Sequence, residues 1–278
     1  MSTVQTGNTM IEDTYRLHRR FDRIGRLVGD SAMSKLFNSR VTVIGLGGVG
    51  SFAAEALARS GVGHLTLVDF DLVCVTNANR QLQAMRGNVG KPKATILAER
   101  LRLINPQATI KAVPLFYDAR LSDKLLPSDT DFVVDAIDNV TAKCHLLATC
   151  RERNIPIVCS TGASGRMDPT RIAVADLSET RVDPLAASVR KILRRQYNFP
   201  RSESFGIPAV YSTENLSNPV DLHYDNGNGF HCVCPNNEND LHTCEDRNVI
   251  WGTAGFVTGS FGLTCASVVV RELVGKPT

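Results

Sequence analysis

Short β-branched runs alternate with stretches whose apolar residues recur at helical spacing over the first half of the chain. Residues 41–46 form the first such run, and 49–60 carry Ala, Leu and Glu at helical spacing, with a glycine turn between the two. Residues 64–71, 110–113, 131–136 and 155–160 read as further strands, and 91–104 and 142–153 as helices. This alternation predicts an α/β fold with a mostly parallel sheet and helices on both faces. Past Thr161 the rhythm changes: 171–177 and 207–212 are isolated strands around a helix at 185–196, and 198–248 is rich in Asn, Ser, Pro and Gly, as a long loop-bearing insertion would be. The natural partition is a nucleotide-binding region at 1–162 and a substrate-side region at 163–278, as two units or one continuous domain.

Composition narrows the setting. The 278 residues are 43% hydrophobic and 21% charged, as suits a soluble globular protein, and the net charge of +3 permits a nucleic-acid partner without demanding one. Most of the 8 cysteines lie singly in apolar runs and no signal peptide is evident, so a reducing cytoplasm is the expected compartment. Residues 251–270 carry no charge and match a bilayer in length. Their glycines, threonines and serines, and the acidic Glu245 and Asp246 before them, favour a buried core or dimer-interface helix over a transmembrane span.

Gly45, Gly47 and Gly50, with Gly48 between them, fit G-x-G-x-x-G in a strand–turn–helix setting, where the backbone can approach phosphates at a helix N-terminus. Asp69, at the end of the second strand, is placed to accept hydrogen bonds from ribose hydroxyls. The next segment decides between nucleotides. "DFDLVCVTNANRQ" and "NVGKPKA" put Asn77, Arg80, Gln81 and Lys93 downstream of the same strand. A nicotinamide dinucleotide has no use for so many cationic and amide groups, whereas a triphosphate does, because an Arg and a Lys neutralise charge on a departing pyrophosphate.

The blocks "GLGGVGS", "DFD", "TNANRQ", "GKPKA" and "DAIDN" resemble the E1-like, ThiF-type adenylating superfamily, which includes ubiquitin-activating enzymes and activators of bacterial sulfur carriers. The resemblance implies a Rossmann-like E1-type fold with a C-terminal substrate-side extension, ATP and Mg²⁺ as cofactors, and a homodimer. It further implies that the glycines and Asp69 hold the nucleotide, Arg80 and Lys93 the phosphates, with Asn77 and Gln81 in support and Asp138 beside Mg²⁺. An arginine before the first strand would cross the dimer interface to the partner's ATP. Arg23 matches that role, with Arg20 and Arg26 as alternatives and a plain basic helix as the bland reading.

Three stretches, "RFDRIGRLVG", "STGASGRMDPTRIAVADLSETRVDPLAASVRKILRR" and "VYSTE", resemble one subgroup, the tRNA threonylcarbamoyladenosine dehydratases. That likeness implies adenylation of the threonine carboxylate on tRNA followed by ring closure. Attack from a group in the same nucleoside needs activation more than an enzyme nucleophile. Two rivals stand beside it: an activator of a ubiquitin-like sulfur carrier, and a nicotinamide oxidoreductase or nucleotide-sensing module. A sulfur-transfer protein partner and a monovalent cation stay open. Cys232, Cys234 and Cys244, near His231 and His242, could bind Zn²⁺, be incidental thiols, or serve a redox or catalytic role; Cys159 reads as packing.

A tRNA partner would leave an electrostatic mark. With Asp183 as N-cap and Pro184 as first residue, the predicted helix places Leu185, Val189, Ile192 and Leu193 on one face. Arg190, Lys191, Arg194 and Arg195 crowd outside it, followed by Tyr197, Phe199 and Arg201. Basic side chains beside aromatics suit phosphate contacts and base stacking, although a charge run can equally be a solvated face.

Overall fold

The computed structural model describes residues 18–220, 222 and 250–276. Its centre is a seven-stranded sheet in the order β3-β2-β1-β4-β5-β7-β6. The strands are β1 (Arg40–Ile44), β2 (His64–Val68), β3 (Thr109–Val113), β4 (Phe132–Asp135), β5 (Ile157–Ser160), β6 (Ile172–Asp176) and β7 (Pro208–Ser212). All neighbours pair in parallel except β6, which runs antiparallel to β7 with Ile172 opposite Ser212. The α/β architecture expected from the strand–helix alternation is present.

Each central strand is apolar on both faces because both are covered. In β4, Phe132 and Val134 join one buried cluster and Val133 the other. The first cluster receives α2 (Asp30–Asn38), α3 (Gly50–Arg59), α4 (Lys93–Ile104) and α8 (Gly255–Leu273); the second receives α5 (Ser122–Leu125), α6 (Val140–Glu152) and α7 (Pro184–Gln196). A short helix, α1 (Asp22–Val28), precedes α2.

The helix α8 is apolar and long enough to cross a membrane by composition alone. Val257, Phe261, Cys265, Val268 and Val269 nevertheless lie in the core against α3 and the sheet. This is the packing of a core helix.

Strand order reverses between β1 and β4, so their C-terminal ends diverge and leave a crevice. Open α/β sheets bind ligands at such a switch point.

Candidate active site

The crevice is a cavity of ≈ 940 Å³ lined by the loops after β1, β2, β4 and β5. The glycine loop forms one wall. A Cβ on Gly50 would fall 1.8 Å from Gly45 O, and one on Gly45, at φ +87°, would lie 2.5 Å from Ala136 O, so neither position accepts a side chain. Asp69 pins this loop to the end of β2, accepting the Leu46 N–H at 2.6 Å and the Asp71 N–H at 2.8 Å. From the other side Gln83, fully buried, donates to Leu46 O at 2.6 Å.

Lys93 opens α4 and turns its Nζ to Asp71 Oδ2 at 2.7 Å. Burial opposes its charge, yet Asp69, Asp71 and Asp138 together hold its pKa above the ordinary lysine value. Burial pushes the Asp69 carboxyl up, and the Lys93 ammonium only partly offsets this. Arg80 donates from Nη1 to Thr76 O and Asn79 Oδ1, both at 2.9 Å, and its side chain passes over Gly48. Asn77 accepts the Cys74 N–H at 3.1 Å, and Gln81 Oε1 lies 3.4 Å from Gln83 Nε2. Both also line the cavity, so they shape its floor while facing it.

Asp138 stands exposed on the loop after β4 and makes no hydrogen bond or ion pair among the described residues. Its free carboxylate is the donor type a hard divalent cation prefers, next to the cationic groups that would face phosphates. The next residue, Asn139, caps α6 by accepting the Ala142 N–H at 3.0 Å. Below this loop lies a pair that the sequence did not announce. Lys143 Nζ meets Asp135 Oδ2 at 2.6 Å and Ser160 O at 2.9 Å, with both side chains fully buried.

The loop after β5 and the start of α7 also line the cavity, where Thr161, Ser164, Leu185 and Trp251 stand with the charged Arg166 and Asp183. Asp183 is the expected N-cap of α7, accepting the Ala186 N–H at 2.6 Å, and its second oxygen takes the buried Arg166 at 2.9 Å. Arg166 also donates to Gly162 O, so this loop is fixed by a buried ion pair.

Arg23 is not in the cavity of its own chain. It lies exposed on α1, whose preceding residue Phe21 packs beside Gly61, past the far end of α3 from the glycine loop. A helix of 10 residues separates the two ends, roughly 15 Å at 1.5 Å per residue.

The basic helix divides. Arg190 donates to Thr180 Oγ1 at 2.5 Å, and Arg194 donates to Pro200 O at 3.3 Å while lying 5.1 Å over the Phe205 ring. Lys191 and Arg195 are exposed and make no ion pair among the described residues. Phe199, grouped in the sequence with the base-stacking aromatics, is instead buried against Phe205 at 4.9 Å and under Arg151 at 4.3 Å. Its ring is therefore closed to bases, because the turn after α7 folds it inward.

Cys74, Cys144, Cys150, Cys159 and Cys265 are buried and outside any disulfide among the described residues, and burial pushes Cys144 up to about 11 and Cys150 and Cys265 up to about 12. Burial pushes Cys159 up as well, so these four lack the depressed pKa of an activated nucleophile. Cys232, Cys234 and Cys244, with His231 and His242, lie outside the described residues.

Comparison with known proteins places this geometry. The ThiF family profile matches residues 21–278. A tRNA threonylcarbamoyladenosine dehydratase of Haemophilus influenzae is 39% identical over 274 residues, covering 97% of this chain and 99% of that protein. The crystal structure of the Escherichia coli tRNA N6-threonylcarbamoyladenosine dehydratase in complex with ATP aligns at a TM-score of 0.79 and 37% identity, over 92% of this chain and 94% of that one. The molybdopterin-synthase adenylyltransferase of Escherichia coli is 41% identical, but over 48% of this chain and 52% of that protein. The glycine loop, the cationic floor and the substrate-side loops thus lie in one frame, and the chain belongs to the ThiF family, on its tRNA threonylcarbamoyladenosine dehydratase branch.

Proposed function

We propose that the protein uses ATP to dehydrate threonylcarbamoyladenosine in the tRNA anticodon loop, closing it to a ring. The observation that carries this reading is the cavity itself. A glycine loop with Lys93 and Arg80 shares one cavity of ≈ 940 Å³ with the loop after β5 and the start of α7, so a nucleotide and a modified nucleoside can meet there. Likeness to the dehydratases extends over 97% of the chain. The molybdopterin branch matches over about half of the chain.

In this reaction the threonine carboxylate attacks the ATP α-phosphorus and pyrophosphate leaves. The carbamoyl group then attacks the acyl carbon, AMP departs with the carboxylate oxygen, and the carbamoyl proton passes to solvent. The balance is one ATP to AMP and pyrophosphate, with one water lost from the nucleoside. Lys93 and Arg80 stabilise charge on the departing pyrophosphate. Asp69 orients the ribose, and Gly45, Gly47, Gly48 and Gly50 let the backbone reach the phosphates. Asp138 would hold Mg²⁺, which supplies further neutralisation of phosphate charge when bound. Asn77 and Gln81 support this floor.

The assembly we infer is a homodimer in the cytoplasm, with Arg23 reaching the partner's nucleotide and exposed Phe256 and Leu263 on α8 contributing apolar contact. Lys191 and Arg195 grip tRNA phosphates, assisted at a distance by Arg190 and Arg194. Residues 1–162 then serve the nucleotide and 163–278 the tRNA.

The test is mass spectrometry of nucleosides from threonylcarbamoyl-modified tRNA incubated with protein and ATP. Loss of one water is expected. An unchanged nucleoside, or adenylation of a diglycine-ended carrier protein instead, would overturn the assignment.

A further inference from the structure

We infer that Trp251 is the platform on which the purine of the modified nucleoside stacks, an assignment that rests on the function proposed above. Trp251 is the only tryptophan of the chain. It borders the cavity with 39% of its surface exposed, a large aromatic ring left partly open.

Its placement is fixed by the backbone around it. Gly252 O accepts the Gly165 N–H at 2.8 Å, and Gly165 O in turn accepts the Ser217 N–H at 2.8 Å. Thr253 O accepts Asn79 Nδ2 at 2.8 Å, and Thr253 Oγ1 lies 3.3 Å from Ser164 Oγ. The indole itself rests on Gly165, where a Cβ would come within 3.2 Å of its Cε3. Trp251 is thereby tied to the loop after β5 on one side and, through Asn79, to the residue beside Arg80 on the other. A ring held this way loses little entropy when a base stacks on it.

Two apolar walls of the cavity can each take a base. The nucleotide end has its own apolar wall in Leu115 and Phe116, beside Asp69, where the adenine of ATP would lie. Trp251 belongs to another wall of the cavity, its ring resting on Gly165 of the loop after β5. Bases in single-stranded loops are recognised by splaying them onto aromatic rings, because such bases expose a π-face that paired bases hide. A purine on Trp251 would leave its threonylcarbamoyl arm free to extend toward Lys93 and Arg80, where the α-phosphorus is attacked.

A sole tryptophan allows a direct test on the intact protein. Its emission is followed during titration with ATP and with an anticodon stem–loop RNA carrying threonylcarbamoyladenosine, and steady-state kinetics are measured for Trp251→Ala and Trp251→Phe. Quenching by the RNA and not by ATP is expected. Trp251→Ala should raise KM for the RNA by roughly 5- to 100-fold, the loss of one base–aromatic stack, with KM for ATP unchanged. Trp251→Phe should stay within a few-fold of the wild type. Emission indifferent to the RNA, or a wild-type KM in Trp251→Ala, would overturn the inference. Turnover by the wild-type protein tests the proposed function separately, so the two fail in different measurements.

Discussion

Lys93 Nζ lies 2.7 Å from Asp71 Oδ2 at the floor of the cavity, so the cation proposed to meet a phosphate is held on a carboxylate within the chain. The ion pair keeps a nearly buried ammonium charged and aimed before any ligand arrives.

Lys93→Ala and Arg80→Ala should each lower kcat by about 10²–10³, the usual cost of removing one group that stabilises transition-state charge. Asp138→Asn should act in the same direction by weakening the divalent-cation site. Its deficit should shrink as Mg²⁺ is raised, whereas that of Lys93→Ala should not. Pyrophosphate release measured against Mg²⁺ concentration checks both, and near-normal rates in all three variants would sink the adenylation step.

Arg23 stands past the far end of α3 from the glycine loop of its own chain, and its proposed role at ATP is therefore one played in trans. Inactive Arg23→Ala mixed with inactive Lys93→Ala should recover activity in heterodimers, because one of the two sites is then intact. Heterodimers that form without regaining turnover would exclude sharing across an interface.

The split within α7 predicts two phenotypes. Lys191→Gln with Arg195→Gln should weaken tRNA binding and lower its salt slope by about 1 per phosphate contact, leaving stability unchanged. Arg190→Gln and Arg194→Gln should chiefly destabilise the segments that flank α7, by about 1 kcal/mol each, since their partners are Thr180 before the helix and Pro200 after it. Filter-binding titrations at several salt concentrations, beside urea unfolding, separate these effects.

Lys143→Met should destabilise the fold by about 3–5 kcal/mol because it strands the Asp135 carboxylate in the core. The double variant with Asp135→Asn should regain part of that loss. Urea midpoints measure it, and a single variant no less stable than the double would contradict an obligate pair.

How much of this was legible beforehand depended on the range of the interaction. Strands and helices repeat their pattern over neighbouring residues, so β1, α3, β2 and α4 could be read directly, as could the Asp183 cap and the crowded cations after Asp69. Lys143 looked like any helix residue, because its partners Asp135 and Ser160 come from two strands that meet it only in the fold. Arg166 was hidden in the same way, since half of its ion pair was already explained as a helix cap. Asp71 had a signal in the repeated acid of "DFD", but nothing local says that it takes Lys93. Trp251 read as the start of an apolar segment, and its opening to the cavity appears only when Gly165 and Asn79 are brought beside it. Phe199 went the other way: adjacency to arginines suggested a surface, and the turn buried it.

The packing of α8 behind the glycine loop has a consequence for the order in which the molecule can be made. A Cβ on Gly262 would fall 2.3 Å from Val49 O, and one on Gly48 would fall 2.9 Å from Thr258 Oγ1, so loop and helix are built flush against each other. Contacts so distant in sequence close late, after the loop entropy between them has been lost. A nascent chain halted on the ribosome before residue 255 therefore presents a glycine motif without its backing. A ligand held by that loop would then favour the form in which α8 has docked over one in which it has not.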